Sequence, residues 1–241
     1  MSRYFIELAY KGTNYHGWQS QPNAVTVQQT LENALSKKLQ ENIKITGAGR
    51  TDTGVHAEFF VAHFDTSKPI TEKTVFGLNR ILPNDISVFN IYEVDDEKHA
   101  RFDAKSRTYE YRISTKKNPF YNETTAFIPA NYKISLLNKA SKILFMHKDF
   151  TSFSKLHTDV KTNNCIISEA VWREENAFII FRITADRFLR NMVRAIVGTL
   201  LEVNSGKVSI SDFEKIILAK DRNRAGKSAN AEGLFLVDIK Y

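Results

Sequence analysis

The residues with the most chemistry to offer lie in GAGRTDTGVHA, Gly47 to Ala57, where one carboxylate, Asp52, stands between Arg50 and Gly54. Three familiar uses of such a stretch fail on its own letters. A phosphate loop needs Gly-x-x-x-x-Gly-Lys, but Gly49 and Gly54 are followed by Val55 and His56, so the lysine is missing. A dinucleotide fingerprint needs a third glycine where Asp52 stands. The Asp52-Thr53-Gly54 triplet spells an aspartic protease signature. That chemistry needs two carboxylates sharing a proton, and Arg50 would hold a lone carboxylate ionised. A metal site is not expected either. His56 and His63 sit seven apart in a strand pattern and so face opposite sides, and the single cysteine, Cys165, rules out a thiolate zinc cluster. What remains is an ionised carboxylate that acts as nucleophile or general base, or else an aspartate that merely caps a turn. From the loop alone the turn cap is the simpler account.

Arginines shift that balance. In ADRFLRNMVRAIVGTLLEV, Leu189, Val193, Ile196 and Leu200 make one face of an expected helix. Arg187, Arg190 and Arg194 fall at i, i+3 and i+7 on another face. Arginine at a helix N-terminus works against the dipole, so this stripe suggests phosphate binding rather than stability. A second basic stretch, KHARFDAKSRTYEYR, interleaves Arg101, Lys105, Arg107 and Arg112 with Phe102, Tyr109 and Tyr111. Cations for phosphates and rings for bases are how proteins hold unstacked RNA.

Composition agrees with a polyanionic partner. The chain has 241 residues and a net charge of +7, a surplus that suits nucleic acid. With 42% hydrophobic and 25% charged residues it reads as a folded globular protein. No apolar run is long enough to span a bilayer. MSRYFIELAYKG lacks a signal-peptide apolar region, and one cysteine fits a reducing compartment, so a cytoplasmic location is expected.

These side chains need elements to position them. Tyr4 to Tyr10 alternates as a strand, and Thr26 with Gln29 forms a capping-box pair opening a helix with the stripe Val27, Leu31, Ala34, Leu35 and Leu39. Ile43 and Ile45 start a second strand, Val55 to Phe64 is a third, buried strand, Thr71 to Leu82 a helix closed by Pro83, and Ile86 to Val94 a fourth strand. The order is βαββαβ. The second half repeats it as βαββααβ. It has a strand through Tyr109, Tyr111 and Ile113, a helix over 134–146, and strands over 166–172 and 178–184 with a turn at Glu174-Glu175-Asn176. The long helix 187–203, a short helix capped by Ser211 and Glu214, and a last strand over 234–239 complete it. The expected class is α+β: two ferredoxin-like βαββαβ halves, 1–105 and 106–241, with sheets joined edge to edge around a central RNA-binding cleft.

Eight blocks in order now resemble one family. YKGTNYHGWQSQ, TVQQTLENAL, GAGRTDTGVHA, LPNDI, HARFDAKSRTYEYRI, HKDFTSF, ADRFLRNMVRAIVGTL and EGLFLVDIKY are similar to the tRNA pseudouridine synthase A family through nearly the whole chain. The resemblance implies isomerisation of uridine to pseudouridine in the anticodon stem-loop of tRNA, at positions 38, 39 and 40. The base is cut from ribose at N1 and rejoined through C5. It implies that Asp52 attacks the ribose C1′ or the uracil C6, that Tyr109 stacks on the target base and assists removal of the C5 proton, and that Arg194 pairs with Asp52. Arg50 is implied to flip the base or hold its phosphate, and Arg101, Arg107, Arg187 and Arg190 to contact the RNA. The implied isomerase is a homodimer that needs no cofactor and no membrane. Two departures stand out. Thr53 replaces the usual alanine and adds a hydroxyl beside Asp52, and Gln29 replaces a common glycine on an expected helix surface. His16-Gly17-Trp18 reads as core packing at a loop, and Asp149 as a turn cap.

Overall fold

The computed structural model describes residues 1–155 and 162–241, in two units: Met1–Lys105 with Leu236–Tyr241, and Ser106–Phe235. The first unit is built on β1 (Ser2–Tyr10), whose alternating Ile6, Leu8 and Tyr10 are buried. Antiparallel neighbours continue that apolar face. In β3 (His56–Thr66) Ala62 and Phe60 lie opposite Ile6 and Leu8, and in β4 (Ile86–Val94) Ile91 and Val88 do. Two helices carry apolar stripes for this face. In α1 (Val27–Leu39) all five expected stripe residues are buried, and Leu78 is buried in α2 (Glu72–Asn79). Thr26 accepts the Gln29 amide at 3.3 Å, which is half of the expected capping box. The Gln29 side chain turns instead to Ser20 and Asn33.

The second strand of this unit is much shorter than expected. Only Thr46–Gly47 pairs with β3, as β2. Ile43 and Ile45 are buried, but α1 side chains take their amides: Ser36 Oγ accepts from Ile43 at 2.9 Å and Glu32 Oε1 from Ile45 at 3.0 Å. A backbone amide needs one acceptor, and a side-chain oxygen fills that need without a strand ladder. The segment Leu236–Tyr241 also belongs here, so the second half expected to run to 241 ends at Phe235. Lys105 N donates to Lys240 O at 2.7 Å, and Tyr241 donates its hydroxyl to Ala100 O at 2.7 Å while its ring lies 5.3 Å from that of Phe5.

In the second unit β5 (Ser106–Ser114), β8 (Phe178–Ala185) and β7 (Ile167–Glu175) are antiparallel neighbours, and the two-residue β6 (Ala126–Phe127) runs parallel to β5. The β7–β8 hairpin turns at Asn176-Ala177, both at positive φ, one residue later than expected, because a two-residue loop of that hand matches strand twist. The buried face carries Tyr111, Ile113, Trp172, Phe181 and Ile183. Across from it α3 (Ile134–Ser141) holds β7 through Asn138, which bonds both the N–H and the carbonyl of Trp172. On the other face Glu110, 6% exposed, accepts from Arg112, Arg173 and Arg182 at 2.8–3.1 Å. Burial pushes its carboxyl up, but hydrogen bonds from Arg173 and Arg112 outweigh that and hold it below the usual range. Three arginines of the basic surplus are thus spent on an internal ion cluster.

The arginine stripe does not form. The long helix, α4 (Met192–Asn204), starts five residues later than expected. Asp186 Oδ1 accepts from both the Ile166 and Arg187 amides at 2.7 Å, which turns the chain away from helix directly after β8. Asn191 then sits at φ 66°, a left-handed conformation that a helix interior does not admit. Arg187 and Arg190 therefore lie on a connector, and only Arg194 rides on α4. The helix α5 (Ile210–Leu218) is capped by Ser209, which accepts from Asp212 N, rather than by Ser211 with Glu214. Glu214 instead meets His147 at 3.2 Å. The last strand, β9 (Leu234–Lys240), closes the chain. Among the described residues no helix is long and apolar enough to cross a membrane.

Candidate active site

The Asp52 loop is the chain between β2 and β3, and its backbone is pinned on both sides of the carboxylate. Before it, Thr51 is buried. Its carbonyl accepts from Trp18 N at 3.2 Å, and its hydroxyl lies 2.9 Å from that of Tyr10. After it, Val55 N returns to Asp52 O at 3.1 Å, closing a four-residue turn whose third residue, Gly54, has φ 76°. Only glycine adopts that conformation freely, so the turn demands Gly54. Gly49 is not demanded in this way, since a Cβ built there would meet nothing within 4 Å. Asp52 itself is half-buried, Arg50 is exposed, and Thr53 is exposed with its hydroxyl in no hydrogen bond among the described residues.

What holds the loop is a block without obvious chemistry, YKGTNYHGW. Gly12 N donates to His56 Nδ1 at 3.0 Å, and a Cβ on Gly12 would lie 2.0 Å from Val55 O. Gly17, at φ 86°, passes Thr51 so closely that a Cβ would lie 2.4 Å from its carbonyl oxygen. Tyr15 O accepts from Gly54 N at 3.3 Å. The block is in turn fixed by LPNDI. Asp85 accepts from the Tyr15 hydroxyl at 2.6 Å and from Asn14 at 3.2 Å, and its carbonyl accepts from Lys11 N at 2.9 Å. Burial and then the Asp85 carboxylate push the Tyr15 phenol well above its usual range, so it stays a donor. Trp18 stacks on Phe60 at 4.0 Å, beneath Gly47, as core packing. His56 and His63 are both acceptors for backbone amides, those of Gly12 and Ala100. His63 is driven down to about 4, first by burial and then by His99 and Arg3, so it stays neutral.

The second unit carries all but Arg101 of the other expected residues. Tyr109 lies on β5 opposite Ile183, half-buried, with the edge of its ring against Phe188 at 5.1 Å and 89°. Phe188 had no sequence signal beyond its place between Arg187 and Arg190. Arg107, on the same face of β5, donates Nη1 to Asp186 O at 2.9 Å. Arg194 stands in the first turn of α4, where its Nε donates to Ala229 O at 2.7 Å and its own carbonyl accepts from Ala229 N. That strand-like rung exists because Gly198 lets the chain lie on the helix; a Cβ there would be 1.9 Å from Lys227 O. Arg187 is half-buried on the connector, and Arg190 is exposed. Arg101 is exposed on a turn of the first unit, its guanidinium 5.6 Å from the Phe102 ring. Asp149 caps its turn, accepting from the Thr151 amide and hydroxyl. Burial raises the Cys165 thiol to about 12, which leaves no reactive thiolate there.

A family model described as tRNA pseudouridine synthase matches residues 8–103 and 140–241. The chain belongs to the tRNA pseudouridine synthase A family. Relatives of that name include those of Parabacteroides distasonis, 54% identical over 100% of this chain and 96% of theirs, and Bacteroides thetaiotaomicron, 53% identical over 100% and 91%. A more distant one, from Acetivibrio thermocellus, is 39% identical over 97% of each chain. The matched segments contain Asp52, the moulding block from Leu8 onward and Arg194, whereas Tyr109 lies between them.

Proposed function

We propose that this chain isomerises uridine to pseudouridine in the anticodon stem-loop of tRNA, at positions 38, 39 and 40, with Asp52 as the attacking group. The observation that carries the proposal is the mould around Asp52. Two glycines, a tyrosine, an aspartate and a histidine fix the backbone of a loop whose one carboxylate is Asp52. A turn cap needs no such support.

In this reading the target nucleotide leaves its stack, since its reacting atoms are hidden within a stem. Asp52 attacks C1′ of the ribose or C6 of the uracil. The N1–C1′ bond breaks, the base turns, C5 bonds to C1′, and the bond to Asp52 breaks, which frees the carboxylate. C5 gives up its proton and N1 takes one, so the reaction is redox-neutral and calls on no electron carrier. Tyr109 stacks on the base and assists proton removal, with Phe188 setting its ring. Arg194 pairs with Asp52, keeping it ionised against desolvation. Arg50 holds the extruded nucleotide or its phosphate, and Arg101, Arg107, Arg187 and Arg190 hold backbone phosphates. The working form is a cytoplasmic homodimer, in which one subunit holds the tRNA while the other presents its site.

Tritium release from tRNA labelled at uridine C5 tests this. Wild-type protein should release tritium and Asp52→Asn should not, while still binding tRNA. No release by the wild type from any tRNA would end the proposal, and loss of tRNA binding in Asp52→Asn would return Asp52 to a structural role.

A further inference from the structure

After β4 the chain makes a tight turn at His99–Asp103, and its backbone is unusually well held. Five consecutive amides find acceptors. His99 N donates to Asp103 Oδ2, Ala100 N to His63 Nδ1, Arg101 N and Phe102 N to His99 Nδ1, and Asp103 N to His99 O, at 2.8–3.3 Å. From outside, Arg3 Nη1 bonds Lys98 O and the Tyr241 hydroxyl bonds Ala100 O. Yet the turn uses this support to present Phe102 to solvent, 74% exposed. A lone exposed apolar residue is ordinary. This one is not isolated: the His99 ring lies 4.2 Å from it and the Arg101 guanidinium 5.6 Å. A pinned aromatic face beside a cation is the arrangement that stacks a nucleobase and takes its phosphate.

The turn is also far from the catalytic loop. It is anchored on His63, seven residues along β3 from His56, which anchors the block under Asp52. At about 3.3 Å per residue the two anchors are ~23 Å apart, roughly seven stacked base steps. Phe102 therefore cannot meet the target uridine.

Taking the tRNA synthase reading as its basis, we infer that the His99–Asp103 turn is a second RNA contact, at which Phe102 stacks on an exposed base of the tRNA body outside the anticodon stem-loop and Arg101 takes the adjoining phosphate. The test compares KM for full-length tRNA with KM for an isolated anticodon stem-loop, using tritium release. Phe102→Ala should raise KM for full-length tRNA by about tenfold or more, the loss expected of one stacked base, and raise that for the stem-loop far less. Phe102→Trp should restore it and Phe102→Leu should not. Thermal melts of all three should match the wild type, because the ring is exposed. An unchanged KM for tRNA, an equal rise for both substrates, or rescue by leucine would each overturn the inference. A wild-type protein that releases no tritium would mean instead that the synthase reading itself has failed.

Discussion

Gly17→Ala is the sharpest probe of how the Asp52 loop is held. Two costs follow from the structure. Gly17 sits at φ 86°, where a Cβ costs about 1–2 kcal/mol. That Cβ would also stand 2.4 Å from Thr51 O, next to the Asp52 carbonyl carbon at 3.2 Å. Real Cβ contacts do not fall below 3.0 Å, so the Thr51-Asp52 backbone must retreat by at least ~0.6 Å. Displacements approaching 1 Å cost up to about 100-fold in a reaction that depends on near-attack geometry. The variant should fold, with a Tm lowered by roughly 2–8 °C given the strain and the chain length. Its kcat in tritium release should fall about 10- to 100-fold, with KM for tRNA changing much less. Gly49→Ala is the internal control. It alters the same motif where a Cβ meets nothing, and should stay within about twofold of wild type. If Gly17→Ala melts lower yet turns over at the wild-type rate, the mould does not position Asp52 and the steric argument is wrong.

Two further predictions concern the supports of the same unit. Asp85→Ala leaves the buried Tyr15 hydroxyl without its acceptor, at a cost of about 1–3 kcal/mol, and should lower both Tm and kcat. Asp85→Asn, which keeps an acceptor oxygen, should lie between it and wild type in the same two measurements, whereas equal loss in both variants would mean that charge, not the acceptor, matters. His63 is held near 4 in the folded chain, below its ordinary value, so the unfolded chain binds the extra proton first. The stability it contributes is complete above pH 6.5 or so and is lost as pH falls toward 4, by at most ~3 kcal/mol. Melting curves from pH 4 to 7 should show His63→Gln with a shallower acid limb than wild type, because the glutamine oxygen can accept from Ala100 without titrating; parallel limbs would remove His63 from the account.

Elements whose stability is local were legible in the sequence. The α1 stripe, the alternation in β1 and β5, and the bounds of β4 follow from side-chain period, and the structure keeps them. Two of the failures share one cause: a polar side chain captured backbone groups that periodicity assigns to regular structure. Glu32 and Ser36 took the amides of Ile45 and Ile43 and so cut β2 short. Asp186 took the amide of Arg187 and delayed α4 until Asn191 could open it from a left-handed conformation. Aspartate, asparagine and serine compete with helix and strand in this way, and which of them succeeds depends on neighbours far along the chain. The second failure bears on function. With Arg187 and Arg190 on a connector, the reason to expect phosphate there is no longer a helix face. It is the exposure of Arg190 and the fixed backbone beside Asp186.

The candidate site divides along the same line. Asp52 stood out once the phosphate-loop, dinucleotide and protease uses of its motif had failed, and Arg194 as a member of an arginine stripe at helical spacing. YKGTNYHGW and LPNDI carried no comparable signal, although YKGTNYHGW packs directly on the backbone of the loop and LPNDI fixes YKGTNYHGW. Their contribution is the absence of a side chain at Gly12 and Gly17 and the presence of acceptors at Asp85 and Tyr15 O, and each acts on backbone atoms. A pattern search looks for side chains that react. It overlooks positions whose requirement is that nothing protrude, unless the spacing of the two glycines is set against the width of a passing chain. That comparison needs the neighbouring strand in place, which is why the moulding role of this block emerged only from the folded unit. It also explains why Gly17, not a charged residue, is the substitution that separates a positioned carboxylate from a turn cap.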